Sequence, residues 1–146
     1  GLISHKTSPG GGTTDYAVHM FYAAARGESY TCFVRPDTRL PMMYMPDALH
    51  ATLDLMAADP DQLTVRDSYN VTAFSFSAED LAAAIARHVP TFDCTYAPDD
   101  RQRIADAWPH SIDDSVARQD WNWQPTHDLE AMTEDMLDHL KESLEV

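Results

Sequence analysis

Apolar positions recur along this chain with two periods, and each period predicts a different kind of element. Ala17, Phe21 and Ala24, together with Val18, Tyr22 and Ala25, repeat at helical spacing. They predict a helix that starts at Thr13 or Thr14 and stops near Gly27, a residue suited to a helix C-terminus. Pro46-Asp47 opens a second helix, with proline in the first turn, and Asp59-Pro60 ends it. Its apolar face runs Leu49, Leu53, Met56. Ser77-Ala78-Glu79-Asp80 has the form of a capping box ahead of Leu81, Ile85 and His88, and Pro90 breaks that helix. Asp128 caps the last helix, whose stripe of Leu129, Met132, Met136, Leu140 and Leu144 predicts core packing.

Short β-branched and aromatic runs lie between these helices. Gly1 to Ser4 is predicted as the end of a strand, followed by a loop from His5 to Gly12. Tyr30–Val34, Leu40–Met45, Ser68–Val71 and Asp93–Tyr96 are predicted as short extended segments, with a loop from Val71 through Phe74. Arg101 to Trp123 is polar and predicted irregular, apart from a short helix near Asp114–Asp120. Helices alternate with strands, without an internal repeat or a linker, so the expected class is α/β, or α+β for the chain in isolation. The strands are few and short for a free-standing sheet. That pattern suits a single lobe over 1–146 that rests on a larger partner domain.

Composition narrows the choice of chemistry. At 146 residues and 44% hydrophobic, the chain is long enough to bury one core. A net charge of −14 repels phosphate backbones and argues against nucleic acid as a partner. No apolar run reaches the ~20 residues of a membrane span, and no basic-then-apolar leader opens the chain, so a cytoplasmic location is expected. Cys32 and Cys94 are too few for a disulfide framework or a structural zinc site. The seven histidines include no His-x-x-x-His pair, and no metal is expected. The opening Gly1-Leu2-Ile3-Ser4 lacks an initiating methionine and has the character of a strand whose beginning lies elsewhere, so a fragment is expected.

The candidate chemistry gathers near the start. Gly10-Gly11-Gly12-Thr13-Thr14-Asp15 feeds a loop with two hydroxyls and a carboxylate into a helix entrance. It can hold a small polar ligand, or it can be an ordinary helix entry. Asp15 can pair with an ammonium. Trp108 can close over a ligand or anchor a surface loop, and Arg101 and Arg103 can clamp an anion or pair with nearby aspartates. Trp121 and Trp123 suit anchoring. The three glycines match neither a dinucleotide fingerprint nor a P-loop, and no Gly-x-Ser-x-Gly elbow or Tyr-x-x-x-Lys pair is present. No catalytic residue is assigned in this chain.

Several long blocks carry a resemblance. Gly1-Leu2-Ile3-Ser4, Pro9 to Ala17, Asp37 to Ala48, Ile104 to Pro109 and Ser111 to Trp123 together resemble the C-terminal half of the short-chain-type L-threonine 3-dehydrogenases. These are extended short-chain dehydrogenases of the NAD-dependent epimerase/dehydratase superfamily. The resemblance implies a substrate-binding lobe plus the last strand ends of a Rossmann sheet, with the N-terminal Rossmann domain, its catalytic tyrosine and its lysine outside this chain. It implies L-threonine as substrate, NAD as cofactor and a homodimeric full-length enzyme. Thr13, Thr14, Asp15 and Trp108 would face the substrate, and Gly1, Leu2 and Ile3 would pass beside the nicotinamide. Related sugar-nucleotide epimerases carry an arginine for the substrate diphosphate where this chain has Leu40, which favours a small substrate. An epimerase or dehydratase lobe and a non-catalytic binding module remain the alternatives. The chain by itself is expected to be inactive and to expose apolar surface.

Overall fold

The structure, a computed structural model, describes residues 1–144. Its central strand, β3 (Arg39–Tyr44), lies between β1 (Leu2–Ile3), which runs parallel to it, and β4 (Phe74–Ser77), which runs antiparallel. Leu40 through Tyr44 are all buried, as expected of a strand covered on both faces. A separate pair joins β2 (Tyr30–Cys32) to β5 (Cys94–Tyr96) in parallel, with Cys32 opposite Tyr96. The expected mixed α/β class is observed.

Three helices close the main core. They are α1 (Tyr16–Ala25), α3 (Ala78–His88) and α6 (Leu129–Leu144), which pack on one another. Met20 and Phe21 from the first meet Leu81 and Ile85 from the second and Met132, Met136 and Leu140 from the third. The predicted capping box of α3 forms, with Asp80 N–H donating to Ser77 Oγ at 3.1 Å and Ser77 N–H to Asp80 Oδ2 at 3.0 Å. A smaller core joins Met43, Ala51, Ala117 and Trp123. Trp123 is fully buried there and its indole N–H donates to the Thr72 carbonyl at 3.2 Å, which makes it the anchor its setting predicted.

The helix α2 (Met45–Ala57) is joined to this frame by a buried carboxylate. Asp47 accepts the Thr126 amide at 3.0 Å, the Thr126 hydroxyl at 2.5 Å and the His127 amide at 3.1 Å. Burial pushes this carboxyl up, but the hydrogen bonds from Thr126 and His127 outweigh it and hold it below the usual carboxylate range.

Four expectations are corrected. Ser68–Val71 is irregular rather than a buried strand, because Tyr69 turns its hydroxyl to Asp120 at 2.6 Å. The strand comes later, at Phe74–Ser77, where two phenylalanines alternate with two serines and pair with β3. Arg101–Asp106 forms a helix, α4, inside the stretch expected to be irregular; the predicted short helix beyond it is α5 (Ser115–Trp121). The first helix begins at Tyr16, since Thr13 to Asp15 form a turn in front of it. Ile3 joins the main core, so of the three residues at the opening its side chain is withdrawn from any surface.

Candidate functional site

The glycine-threonine turn is built around one side chain. Asp15 Oδ2 accepts the backbone N–H of Gly10 at 2.7 Å, of Gly11 at 2.8 Å and of Gly12 at 2.8 Å. Gly11 sits at φ 102°, a conformation that L side chains rarely adopt, so a glycine is required for the loop to wrap this carboxylate. The expected N-terminal cap therefore runs backwards: the aspartate serves the amides before it, not those of the helix after it. Among the described residues Asp15 Oδ1 accepts no hydrogen bond, and it remains available to a cation.

The same turn meets the first strand. A Cβ placed on Gly1 would lie 2.6 Å from Thr14 Cβ and 2.7 Å from Met42 Sδ, so only glycine fits at this contact. The Gly1 carbonyl accepts the Met43 N–H at 2.9 Å and its nitrogen donates to the Pro41 carbonyl at 2.7 Å. Gly1 and Thr14, expected beside cofactor and substrate respectively, are thus neighbours in space. Thr13 is buried and Thr14 half-buried next to it.

Beside this contact lies an open, mainly apolar cavity of about 360 Å³. Gly1, Leu2, Met43, Leu55 and Trp121 line parts of it. Trp121 is therefore the tryptophan at the cavity, a position that its predicted anchoring role had not suggested. The signal available in the sequence was weak: an indole whose partner, Tyr69, is distant in the chain and packs edge-on against it.

Trp108 lies elsewhere, 41% exposed just past the end of α4, and is not a wall of this cavity. Arg101 is committed to an ion pair: its Nε donates to both Asp99 oxygens at 3.0 Å, and its guanidinium lies over the Phe33 ring at 3.2 Å. Arg103 is exposed on α4. Leu40, the uncharged residue on which a small substrate was expected, is fully buried in the main core.

Comparison with known proteins places this arrangement. No family model matches the sequence. A GalE-like L-threonine dehydrogenase from Cupriavidus necator is 59% identical and superposes with a TM-score of 0.93, over 97% of this chain and 51% of that one. The L-threonine dehydrogenase of Phytophthora infestans is 55% identical with a TM-score of 0.94, over 98% of this chain and 46% of that one. The chain belongs to the epimerase/dehydratase family that includes the GalE-like L-threonine dehydrogenases. A mitochondrial L-threonine 3-dehydrogenase of Bos taurus is 49% identical over 94% of this chain and 37% of its own length. An uncharacterised epimerase/dehydratase of Staphylococcus haemolyticus is 48% identical over 97% and 45%. The chain spans about half or less of the length of these relatives. The UDP-glucose 4-epimerase of Thermotoga maritima, 15% identical with a TM-score of 0.73, shares the fold. Among the described residues no helix is long and apolar enough to cross a membrane.

Proposed function

We propose that this chain is the C-terminal, substrate-binding half of an NAD-dependent L-threonine 3-dehydrogenase, and that it is inactive without the other half. The observation that carries the reading is the contact of Gly1 with Thr14, where a Cβ would approach to 2.6 Å. On this reading it joins a strand end beside the cofactor to a turn that holds the substrate. The 55–59% identity to threonine dehydrogenases over nearly the whole chain supports it.

On this reading the Thr13 and Thr14 hydroxyls hold the carboxylate or amino group of L-threonine. Asp15 uses one oxygen to close the glycine turn and its other oxygen favours the ammonium. Trp108, on the loop after α4 and outside the apolar cavity, is the residue proposed to close over the substrate. Gly1 and Leu2, uncharged and bordering an apolar cavity, suit the face of a nicotinamide ring. NAD supplies the hydride acceptor when bound. The tyrosine and lysine that move the hydroxyl proton belong to the partner half. That Rossmann half lies over the cavity and over the outer face of α2. There Leu49, Leu53 and Met56 are 59%, 62% and 78% exposed, an apolar surface that a covered helix would not present to water. Cys32 and Cys94 are both free, in keeping with a cytoplasmic enzyme. The buried Leu40 speaks against a sugar-nucleotide substrate.

The test joins this chain behind the first half of the Cupriavidus necator enzyme and follows L-threonine-dependent reduction of NAD. Activity is expected, and Thr14→Ala should raise KM roughly tenfold, the loss of one charge-assisted hydrogen bond. A folded fusion that turns over L-threonine equally well with Thr14→Ala and Asp15→Asn would overturn the assignment of these residues.

A further inference from the structure

The fold brings together a second set of groups, away from the glycine turn. His5 lies in the loop after β1, while Asp135 and His139 stand one turn apart on α6. A ring nitrogen of each histidine and a carboxylate oxygen of Asp135 lie within 4.8 Å of one another. The two imidazoles stack, with centroids 4.1 Å apart and planes 10° from parallel. We propose that His5, Asp135 and His139 form a binding site for a borderline-soft divalent transition-metal ion of the zinc type. The proposal stands apart from the dehydrogenase reading.

Hydrogen bonds already set the protonation pattern that such an ion needs. Tyr44, fully buried, donates its hydroxyl proton to Asp135 Oδ2 at 2.5 Å. With that proton spent on Asp135, the Tyr44 oxygen accepts from His5 Nδ1 at 2.9 Å, which places the His5 proton on Nδ1. His139 Nδ1 lies 2.9 Å from the Asp135 backbone carbonyl, which can only accept, so its proton is on Nδ1 too. Both rings therefore keep an Nε2 lone pair, and among the described residues neither Nε2 takes a hydrogen bond. A metal-ligating histidine is held in the same way, its other N–H donated to a carbonyl or an oxygen acceptor.

The chemistry selects the cation. Two imidazoles and one carboxylate suit zinc, nickel or copper rather than magnesium or calcium, and water completes the shell. A tetrahedral ion about 2.0–2.1 Å from each nitrogen holds its ligand atoms about 3.3 Å apart. The ligand atoms, within 4.8 Å of one another, must draw in by up to about 1.5 Å, through the loop carrying His5 and the 44%-exposed side chain of His139. The chain's −14 charge favours any cation. Bound there, the ion would tie the loop that leads to the glycine turn to α6.

Zinc chloride titrated into the metal-free chain, read by calorimetry and by thermal unfolding, tests this. One ion per chain and a rise in Tm are expected. His139→Gln and His5→Phe should each weaken binding at least about tenfold, and Tyr44→Phe about tenfold through the lost orientation of His5 and Asp135. His110→Gln, away from the site, should change nothing. His139→Gln replaces a half-exposed side chain and is expected to fold, which circular dichroism checks. Cobalt in place of zinc should give the visible absorption of a tetrahedral ion. No saturable one-to-one binding to the unaltered chain, or binding that survives the His5→Phe, His139→Gln double variant, would overturn the proposal.

Discussion

Helices α2 and α6 carry the same kind of apolar stripe and meet opposite fates. On α6 Met132, Met136 and Leu140 are buried against α1 and α3, and only Leu144 at the last turn is exposed. On α2 Leu49, Leu53 and Met56 all face water, while the side turned to the protein is made of Asp47, Ala48 and Ala51. Spacing of three and four residues establishes that a segment can be an amphipathic helix. It does not say which protein surface the apolar side meets. The α6 stripe is satisfied within this chain, and the α2 stripe asks for a surface that the described residues do not supply.

The largest effect is expected on α6. Met136→Ala removes a fully buried side chain from between three helices and should cost about 3 kcal/mol, measured by urea unfolding. Next comes the inner side of α2. Asp47→Ala removes a buried carboxylate and its hydrogen bonds from Thr126 and His127 and should cost about 2 kcal/mol. Because the folded state lowers the Asp47 pKa from its ordinary 3.8, this contribution is present above that value and is lost as pH falls through the lowered one. A loss for Asp47→Ala as small as for a surface change would mean that α2 is held by its stripe after all.

A smaller effect separates the two helices by pH. His5, stacked on His139 of α6, has its pKa lowered from 6.5 by burial first and by the His139 charge second. Its stabilising contribution is therefore full above pH 6.5 and declines as pH falls below it. Amide exchange at pH 5.5 should open α6 and the loop after β1 relative to pH 7.5, with α2 unchanged. Smallest of all, Leu53→Ser should shift the stability of this chain by less than about 0.5 kcal/mol, since its side chain has little to lose. A loss of 2 kcal/mol or more there would place a covering surface within the chain itself.

The parts of the fold visible in the sequence were those with local causes. The Ser77–Asp80 box, the proline at the start of α2 and the α6 stripe each carry their own instruction, and each formed where expected. Strands were harder, because a strand needs a partner. Ser68–Val71 has the composition but no neighbour to pair with, whereas Phe74–Ser77 gains its place from β3. The glycine turn was visible as a loop feeding a helix, but the direction of the Asp15 side chain was not. A carboxylate at a helix entrance can serve the amides on either side, and three glycine amides before it outnumber those after. The His5, Asp135 and His139 group spans the length of the chain, so only the four-residue spacing of Asp135 and His139 was present to be read.

The most direct measurement is hydrogen–deuterium exchange of this chain, with and without the separately produced first half of the Cupriavidus necator enzyme. If this chain is one half of such an enzyme, α2 and the strand end at Leu2–Ile3 gain protection on mixing while the middle of α6 does not change. Unchanged exchange along α2 under conditions where the two halves bind each other would contradict that placement and leave its apolar face to another partner.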